Sequence, residues 1–227
     1  MDARADRLAL RRLSRPLIAG WFHLFARRRH RRLVLEDVCR TPLAVLPDVF
    51  NPALFRSSEL LTECVLSSLS PGTRLLDMGT GSGVTAVAAA RQGASVVAVD
   101  ISPAACRCAR INTLLNGVEC RVDVRQGDLF EPVGSEKFDI ITFNPPFFPG
   151  TPSAPWEVAW RSDDVIARFL SGVQERLAPE GRVLVVLSSD ARDAWLEVRD
   201  AALDFSVVAR RTYLNEVMSV IELRRAA

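Results

Sequence analysis

Residues 75–83 of the chain read Leu75-Leu76-Asp77-Met78-Gly79-Thr80-Gly81-Ser82-Gly83, an apolar start that leads into three alternating glycines. The apolar part predicts a buried strand over residues 74–78, and the small residues that follow predict a helix over residues 83–92. Glycines between a strand and a helix let the backbone bend sharply and let a ligand lie against it without interference from Cβ atoms. The segment therefore predicts a strand, a ligand-binding turn and a helix, which together form the first unit of an α/β fold.

The spacing of these glycines narrows the class of ligand. A dinucleotide-binding loop has the pattern GxGxxG, which would place its third glycine at position 84, where this chain has Val84. The lysine of a phosphate-binding P-loop is also missing after the glycines, which disfavours a nucleoside triphosphate. The loop is GxGxG instead.

Two acidic residues follow the next predicted strands, over residues 95–99 and 121–125. Asp100 lies 21 residues after Gly79, where a carboxylate can accept both ribose hydroxyls of an adenosine ligand. Asp128 can reach an adenine amino group from the end of the third strand. Taken singly, each glycine also fits an ordinary tight turn and Asp100 a helix cap. Together they predict one crevice above the carboxyl ends of a parallel sheet.

A strand over residues 139–143 ends in Asn144-Pro145-Pro146-Phe147. The two prolines remove two N–H donors and stiffen the turn, which leaves carbonyl groups free to accept hydrogen bonds. The Asn144 side-chain oxygen and the Pro145 carbonyl can then hold one planar NH2 group, and Phe147 can stack on the flat face that carries it. A proline-rich strand end is the alternative. Trp156 and Trp160 follow closely, and they suit either a lid over the acceptor or core packing.

Short apolar runs alternate with helical segments over the remaining chain. The pattern predicts helices over residues 102–117, 163–178 and 191–202, and strands over residues 183–187, 206–211 and 217–223. This alternation predicts an α/β fold: a Rossmann-like, doubly wound, seven-stranded, mostly parallel sheet with an antiparallel last strand.

The glycine loop, the strand-end acids and the Asn-Pro-Pro-Phe segment resemble the class I S-adenosylmethionine-dependent methyltransferases that methylate nitrogen. The resemblance covers residues 47–224 and is strongest to the release-factor glutamine N5-methyltransferases, particularly their compact archaeal and eukaryotic-like branch. The adenine-N6 methyltransferases share the tetrapeptide pattern. The glutamine family usually has Asp-Thr or Glu-Asp-Thr after the proline, whereas in this chain Pro52 is followed by Ala53-Leu54-Phe55-Arg56-Ser57-Ser58.

The resemblance implies S-adenosyl-L-methionine as the cofactor and assigns residues to its parts. Asp77, Gly79 and Gly81 would line the methionine part. Asp100 would hold the ribose and Asp128 the adenine. The implied cofactor site is completed by Thr80, Gly83, Ile101, Leu129 and Asn144. The implied catalytic residues, which would hold the target nitrogen, are Asn144, Pro145, Pro146 and Phe147.

The front of the chain is strongly basic. Residues 1–40 carry eleven Arg against four acidic residues, although the whole chain has a formal net charge of only +2. Apolar spacing predicts that residues 1–40 are helical, and residues 41–53, which hold three prolines, predict an irregular connector. Arg27–Arg32 suit the phosphates of RNA, and equally a solvated helix face. We predict a basic helical extension over residues 1–46 and a methyltransferase domain over residues 47–227.

Composition and cysteine usage exclude several classes of protein. The 48% apolar and 25% charged residues exclude disorder and collagen-like repeats. The five cysteines form no CxxC pair, so we expect no metal site. The apolar run over residues 17–26 is about half of the roughly 20 residues that span a bilayer. We therefore expect a cytoplasmic protein without a membrane segment.

These patterns predict an S-adenosylmethionine-dependent N-methyltransferase whose acceptor is a protein glutamine side chain, with an acceptor protein or nucleic acid contacting the basic front end. The alternatives are an adenine-N6 methyltransferase on RNA or DNA and an N-methyltransferase of a small metabolite. Two alternative functions come from other classes of protein: an NAD-dependent oxidoreductase and a non-catalytic RNA-binding module. Val84 and the Asn-Pro-Pro-Phe segment argue against the oxidoreductase.

Overall fold

The computed structural model describes residues 32–54, 56–146, 164–213 and 216–226. The predicted helices before residue 32, Arg27–Arg31, Phe147, and the tryptophans Trp156 and Trp160 lie outside these ranges. Among the described residues, no helix has the length and apolar character that crossing a bilayer requires. In the same ranges, no three potential metal-ligating side chains cluster.

A seven-stranded sheet, flanking helices and a separate hairpin make up the described fold. The strands are β1 Val34–Val38, β2 Thr41–Val45, β3 Arg74–Met78, β4 Ser95–Asp100, β5 Val122–Gln126, β6 Phe138–Phe143, β7 Leu177–Ser188, β8 Leu203–Tyr213 and β9 Glu216–Arg225. The helices are α1 Arg56–Ser68, α2 Val84–Arg91, α3 Pro103–Leu115, α4 Val165–Val173 and α5 Arg192–Asp200. Short 3-10 turns occupy Glu131–Val133 and Gln174–Arg176.

The main sheet has the strand order β5-β4-β3-β6-β7-β9-β8. Its first five strands are parallel, whereas β9 runs antiparallel to both β7 and β8. Within this sheet, β3 comes first along the chain. The chain then adds β4 and β5 on one side of β3, and β6 and the later strands on the other side, so the direction of strand addition reverses between β3 and β6. Ligands of open α/β sheets bind in the crevice at such a reversal. The predicted fold class is confirmed.

The sheet buries apolar side chains on both faces. On one face, Phe169 of α4 packs against the rings of Phe143 and Phe130, with ring centroids 4.8 and 5.5 Å apart. On the other face, α2 is rich in alanine and lies close to the strands, together with Leu61 and Val65 of α1. Burial on both faces explains why the parallel strands are continuous apolar runs.

A β-hairpin replaces the helix and connector predicted for residues 34–45. The strands β1 and β2 pair antiparallel along their whole length. Cys39 and Arg40 form the two-residue turn, with φ values of 52° and 58° that match the twist of a tight hairpin. Alternate residues of β1 face inward as far as the buried Val38, while Leu35 is exposed. The helical interpretation is wrong here because this period of two belongs to a strand. The domain boundary at residues 46 and 47 stays a prediction.

Two other elements differ from the prediction. The apolar spacing does not reveal α1, because its buried face begins with polar residues, Ser57 and Ser58. The helix predicted over residues 163–178 is shorter, since α4 ends at Val173 and β7 already begins at Leu177. Pro179 and Gly181, residue types that end helices, lie inside β7 instead, where the pairing with β6 shifts register.

One buried side chain ties the hairpin to the glycine loop. The Oδ1 atom of Asn112 on α3 accepts from the Ala44 N–H at 2.7 Å. Its Nδ2 atom donates to the carbonyl oxygens of Ala44 at 3.0 Å and Ser82 at 2.8 Å. Asn112 is fully buried, so water does not compete for the backbone groups of Ala44 and Ser82 that it binds. The hairpin is therefore part of the support of the glycine loop.

We expect the substitution Asn112→Leu to lower the free energy of unfolding by about 3 kcal/mol, because it leaves buried backbone groups of the hairpin and loop unpaired. Urea denaturation measures this loss. The matched control is Asn116→Ala on the same helix, whose amide donates to Pro42 O at 2.9 Å in an exposed position. An equal loss in both variants would contradict the argument.

Candidate active site

The loop after β3 turns the chain through three glycines in left-handed backbone. The φ values of Gly79, Gly81 and Gly83 are 64°, 56° and 82°, which residues with side chains rarely adopt. A Cβ atom on Gly83 would also lie 3.1 Å from the Cα atom of Ala109, and one on Gly79 would lie 3.2 Å from the ring of Phe143. Gly79 and Gly83 are therefore required both for the turn and for close packing against the neighbouring elements, and Gly81 is required for the turn.

The carboxyl group of Asp77 is buried at the end of β3. Its Oδ2 atom accepts a hydrogen bond of 2.6 Å from the Thr80 hydroxyl. Burial raises the pKa of Asp77 to about 7, although the hydrogen bond from Thr80 and one from the backbone of Ala86 oppose the shift. Asp77 thus changes charge near neutral pH, directly beneath the glycine loop.

The side chain of Asp100 at the end of β4 braces the same loop. Its Oδ2 atom accepts from the Gly81 N–H and its Oδ1 atom from the Ser102 N–H, both at 2.9 Å. Burial raises the pKa of Asp100, against the lowering effect of these N–H groups. The next residue, Ile101, is 50% exposed. A carboxylate and an apolar surface therefore lie side by side next to the loop.

Asp128 follows β5, and its carboxylate is already paired. The Arg168 guanidinium of α4 donates to it twice, from Nη1 to Oδ2 at 2.9 Å and from Nη2 to Oδ1 at 2.7 Å. Both partners are partly exposed. The next residue, Leu129, has a φ of 47°, an uncommon value for a residue with a side chain. Sequence reasoning did not anticipate Arg168, since 40 positions separate it from Asp128.

Asn144 follows β6 and contacts the first turn of α1. Its Nδ2 atom lies 3.1 Å from Ser58 Oγ and 3.3 Å from Ser57 Oγ and donates to both. Pro145 is buried and Pro146 partly buried beside it. The two serines are functional candidates that the sequence pattern missed, because no spacing rule connects them with Asn144.

The four predicted polar side chains follow four neighbouring strands. These are Asp128 after β5, Asp100 on β4, Asp77 on β3 and Asn144 after β6. The strands are parallel, so all four side chains lie at one edge of the sheet. The sequence prediction of a single crevice at this edge agrees with their placement.

A family model described as the methyltransferase small domain matches residues 42–211 of the chain. The chain belongs to this family. It is 32% identical over 191 residues to a release factor glutamine methyltransferase of Moorella thermoacetica, across 76% of this chain and 63% of that protein. It is 31% identical over 152 residues to a tRNA1(Val) (adenine(37)-N6)-methyltransferase of Bacteroides thetaiotaomicron, across 64% of this chain and 63% of that protein.

A solved structure shares the fold of this methyltransferase small domain. The ribosomal protein L11 methylase of Lactobacillus delbrueckii subsp. bulgaricus has a TM-score of 0.60 at 20% identity, covering 80% of this chain and 84% of that one. The chain spans between 26% and 63% of the length of eight curated relatives. The predicted family is thus confirmed.

S-adenosyl-L-methionine is the cofactor that this methyltransferase family indicates, and the described residues fit it. The glycine loop exposes backbone at Gly79, where Cβ atoms would otherwise intrude. Asp100 offers a carboxylate suited to ribose hydroxyls, with exposed Ile101 beside it for a flat ring. The assignment of each residue to a part of the cofactor stays a prediction.

We expect the affinity for S-adenosylhomocysteine to fall about tenfold between pH 8 and pH 6, because a protonated Asp77 cannot attract the ligand's ammonium group. The same raised pKa implies that the stability of the free protein falls as pH rises from about 4 to about 7, since the folded state holds a proton that the unfolded state has lost. Calorimetric titrations at several pH values measure the affinity. Asp77→Asn should flatten its pH dependence, and an unchanged slope in that variant would contradict the assignment.

Proposed function

We propose that this chain transfers a methyl group from S-adenosyl-L-methionine to a planar amide nitrogen, a glutamine side chain of a release-factor type protein. The observation that carries the proposal is the orientation of Asn144 at the end of β6. Its NH2 group donates to Ser57 and Ser58, which turns its oxygen away from α1. In this orientation the oxygen can accept a hydrogen bond from an N–H of the acceptor.

The proposed catalysis depends on position rather than on a strong base. When bound, the cofactor supplies a methyl group on a positively charged sulfur. Asn144 Oδ1 and the Pro145 carbonyl accept the two hydrogens of the target NH2 group and direct the nitrogen lone pair toward that methyl. Fixing a nucleophile in this way contributes several kcal/mol. The methyl–sulfur bond would break as the nitrogen–carbon bond forms, and S-adenosylhomocysteine would leave. The methylated nitrogen would then release one proton to solvent, so no deprotonating side chain is required beforehand.

Two curated relatives support a glutamine acceptor. Besides the enzyme of Moorella thermoacetica, the release factor glutamine methyltransferase of Geobacter sulfurreducens is 38% identical over 116 residues. A glutamine amide is planar and offers two hydrogens to the paired acceptors at Asn144 and Pro145. The translation-related relatives also support a cytoplasmic location.

A second candidate is the N6 atom of adenine in RNA, which also carries a planar NH2 group. The tRNA methyltransferase of Bacteroides thetaiotaomicron favours it, and so does the arginine-rich stretch over residues 27–32. In either case we propose that these arginines contact the acceptor. Their charge suits the phosphates of RNA directly and the acidic surface of a protein equally well.

Incubation with radiolabelled S-adenosylmethionine tests the acceptor. The full chain is given, separately, a purified bacterial release factor, unmodified tRNA and a metabolite extract. We expect label in the release factor, and mass spectrometry should place it on a glutamine side chain. Label in tRNA alone would replace the glutamine proposal with the adenine one. Failure to bind S-adenosylhomocysteine and to label any fraction would overturn the proposed function.

A further inference from the structure

Two buried serines on α1 contact the proposed catalytic amide. Ser57 is 1% exposed and Ser58 is 6% exposed, and their hydroxyl oxygens lie 3.3 and 3.1 Å from Asn144 Nδ2. Adjacent helical residues usually point in different directions, yet both hydroxyls reach this one nitrogen. A side-chain NH2 group has two hydrogens, so each serine can receive one.

The helix that carries these serines is firmly anchored. The buried hydroxyls of Thr62 on α1 and Thr85 on α2 are 2.9 Å apart. The Arg211 guanidinium of β8 also donates to Glu63 of α1 at 2.6 Å. Leu61 of α1 is buried in the same core as α2. The serine hydroxyls are therefore held in fixed positions relative to the sheet edge at which Asn144 stands.

Both contacts bear on the plane and direction of the amide group. A terminal amide turns freely about its last side-chain bond unless partners select one orientation. With both hydrogens on Ser57 and Ser58, the oxygen of Asn144 lies on the far side of the amide carbon. Without the serines, the amide turns, and for part of the time it presents hydrogens to an acceptor nitrogen that itself carries hydrogens.

We propose that Ser57 and Ser58 are positioning residues for methyl transfer, because they hold the Asn144 amide with its oxygen directed at the acceptor N–H. The inference rests on the proposed function, since Asn144 is the residue through which the serines act. They contribute to turnover, and they do not contribute to cofactor affinity or to acceptor affinity.

The test compares the double variant S57A/S58A with the wild type, using whichever acceptor the wild type labels. We expect kcat to fall about 30-fold, with changes below about threefold in the acceptor KM and in the Kd for S-adenosylhomocysteine. The variant S58T keeps a hydroxyl and should stay within about threefold of the wild-type kcat. The control S67A/S68A removes two hydroxyls of the same helix that donate to the Cys64 carbonyl, and it should keep the wild-type kcat.

A double-mutant cycle and a spectroscopic readout separate positioning from folding. In an Asn144→Ala background, the added serine substitutions should change kcat less than twofold, because the residue they position is gone. The side-chain NH2 resonances of Asn144 should exchange with solvent faster in S57A/S58A than in the wild type. This measurement holds for the protein without any acceptor, so it tests the serines even if the proposed function fails.

Full kcat in S57A/S58A, or a loss confined to cofactor affinity, would overturn the positioning role while leaving the proposed function intact. Unchanged exchange of the Asn144 NH2 hydrogens would overturn it too. Absence of label from every acceptor with the wild type would instead count against the proposed function.

Discussion

Replacing Asn144 with alanine is expected to lower kcat by at least about 1,000-fold, because the target nitrogen loses a hydrogen-bond acceptor that directs its lone pair. Although the resemblance also places Asn144 beside the cofactor, the affinity for S-adenosylhomocysteine should stay within about threefold of the wild type, since the glycine loop and Asp100 are untouched. Single-turnover methyl transfer measures the first quantity and calorimetry the second.

Two comparisons make this expectation specific. Asn144→Gln keeps the amide but moves it by one methylene away from Ser57 and Ser58, so its kcat should also fall strongly. The surface variant Asn116→Ala removes an amide outside the site and should keep full kcat. Wild-type turnover in Asn144→Ala would refute the mechanism outright.

The substitution Asp100→Ala should raise the Kd for S-adenosylhomocysteine about 100-fold, equivalent to roughly 2.7 kcal/mol. Two effects combine in this loss. The ribose hydroxyls lose their carboxylate, and the backbone N–H groups of Gly81 and Ser102 lose the oxygens that hold them at 2.9 Å. A hydrogen bond to a charged group contributes about 1.5–3 kcal/mol. The expected loss of affinity is therefore smaller than the combined contribution of the bonds that Asp100 makes.

Asp123→Ala is the matched control for this variant. Asp123 is an exposed carboxylate on the neighbouring strand β5, and it pairs with Arg125 at 2.7 Å. Its loss should leave the Kd unchanged, because an exposed ion pair contributes little. An unchanged Kd in Asp100→Ala itself would remove Asp100 from the cofactor site.

Sequence reasoning succeeds for features whose physical cause is local. The turn after β3 is predictable because three left-handed backbone positions require glycine, and each glycine is visible in the sequence. The strand ends are predictable because Asp100 and Asn144 each stop an apolar run. Parallel strands end at one edge, so the meeting of these residues follows from the fold alone.

The missed features depend on contacts between distant parts of the chain. The hydroxyls of Ser57 and Ser58 lie 87 and 86 positions before Asn144, and no spacing rule connects them. The Arg168 partner of Asp128 is hidden for the same reason. The sequence pattern does not predict the β1–β2 hairpin, because its five-residue strands are too short to outweigh the helical pattern of the arginine-rich residues before them.

The bridging role of Asn112 has a consequence for how the chain can be divided. A chain trimmed to begin at residue 47 would lose Ala44 and, with it, two of the four hydrogen bonds that the Asn112 side chain makes. The bond to Ser82 in the glycine loop would then belong to a side chain that is newly open to water on that side. The hairpin over residues 34–45 therefore supports the glycine loop from behind, through Asn112 and through the packing of Leu43 and Val45 in one apolar cluster with Val84, so removing the hairpin would loosen the loop as well as shorten the chain.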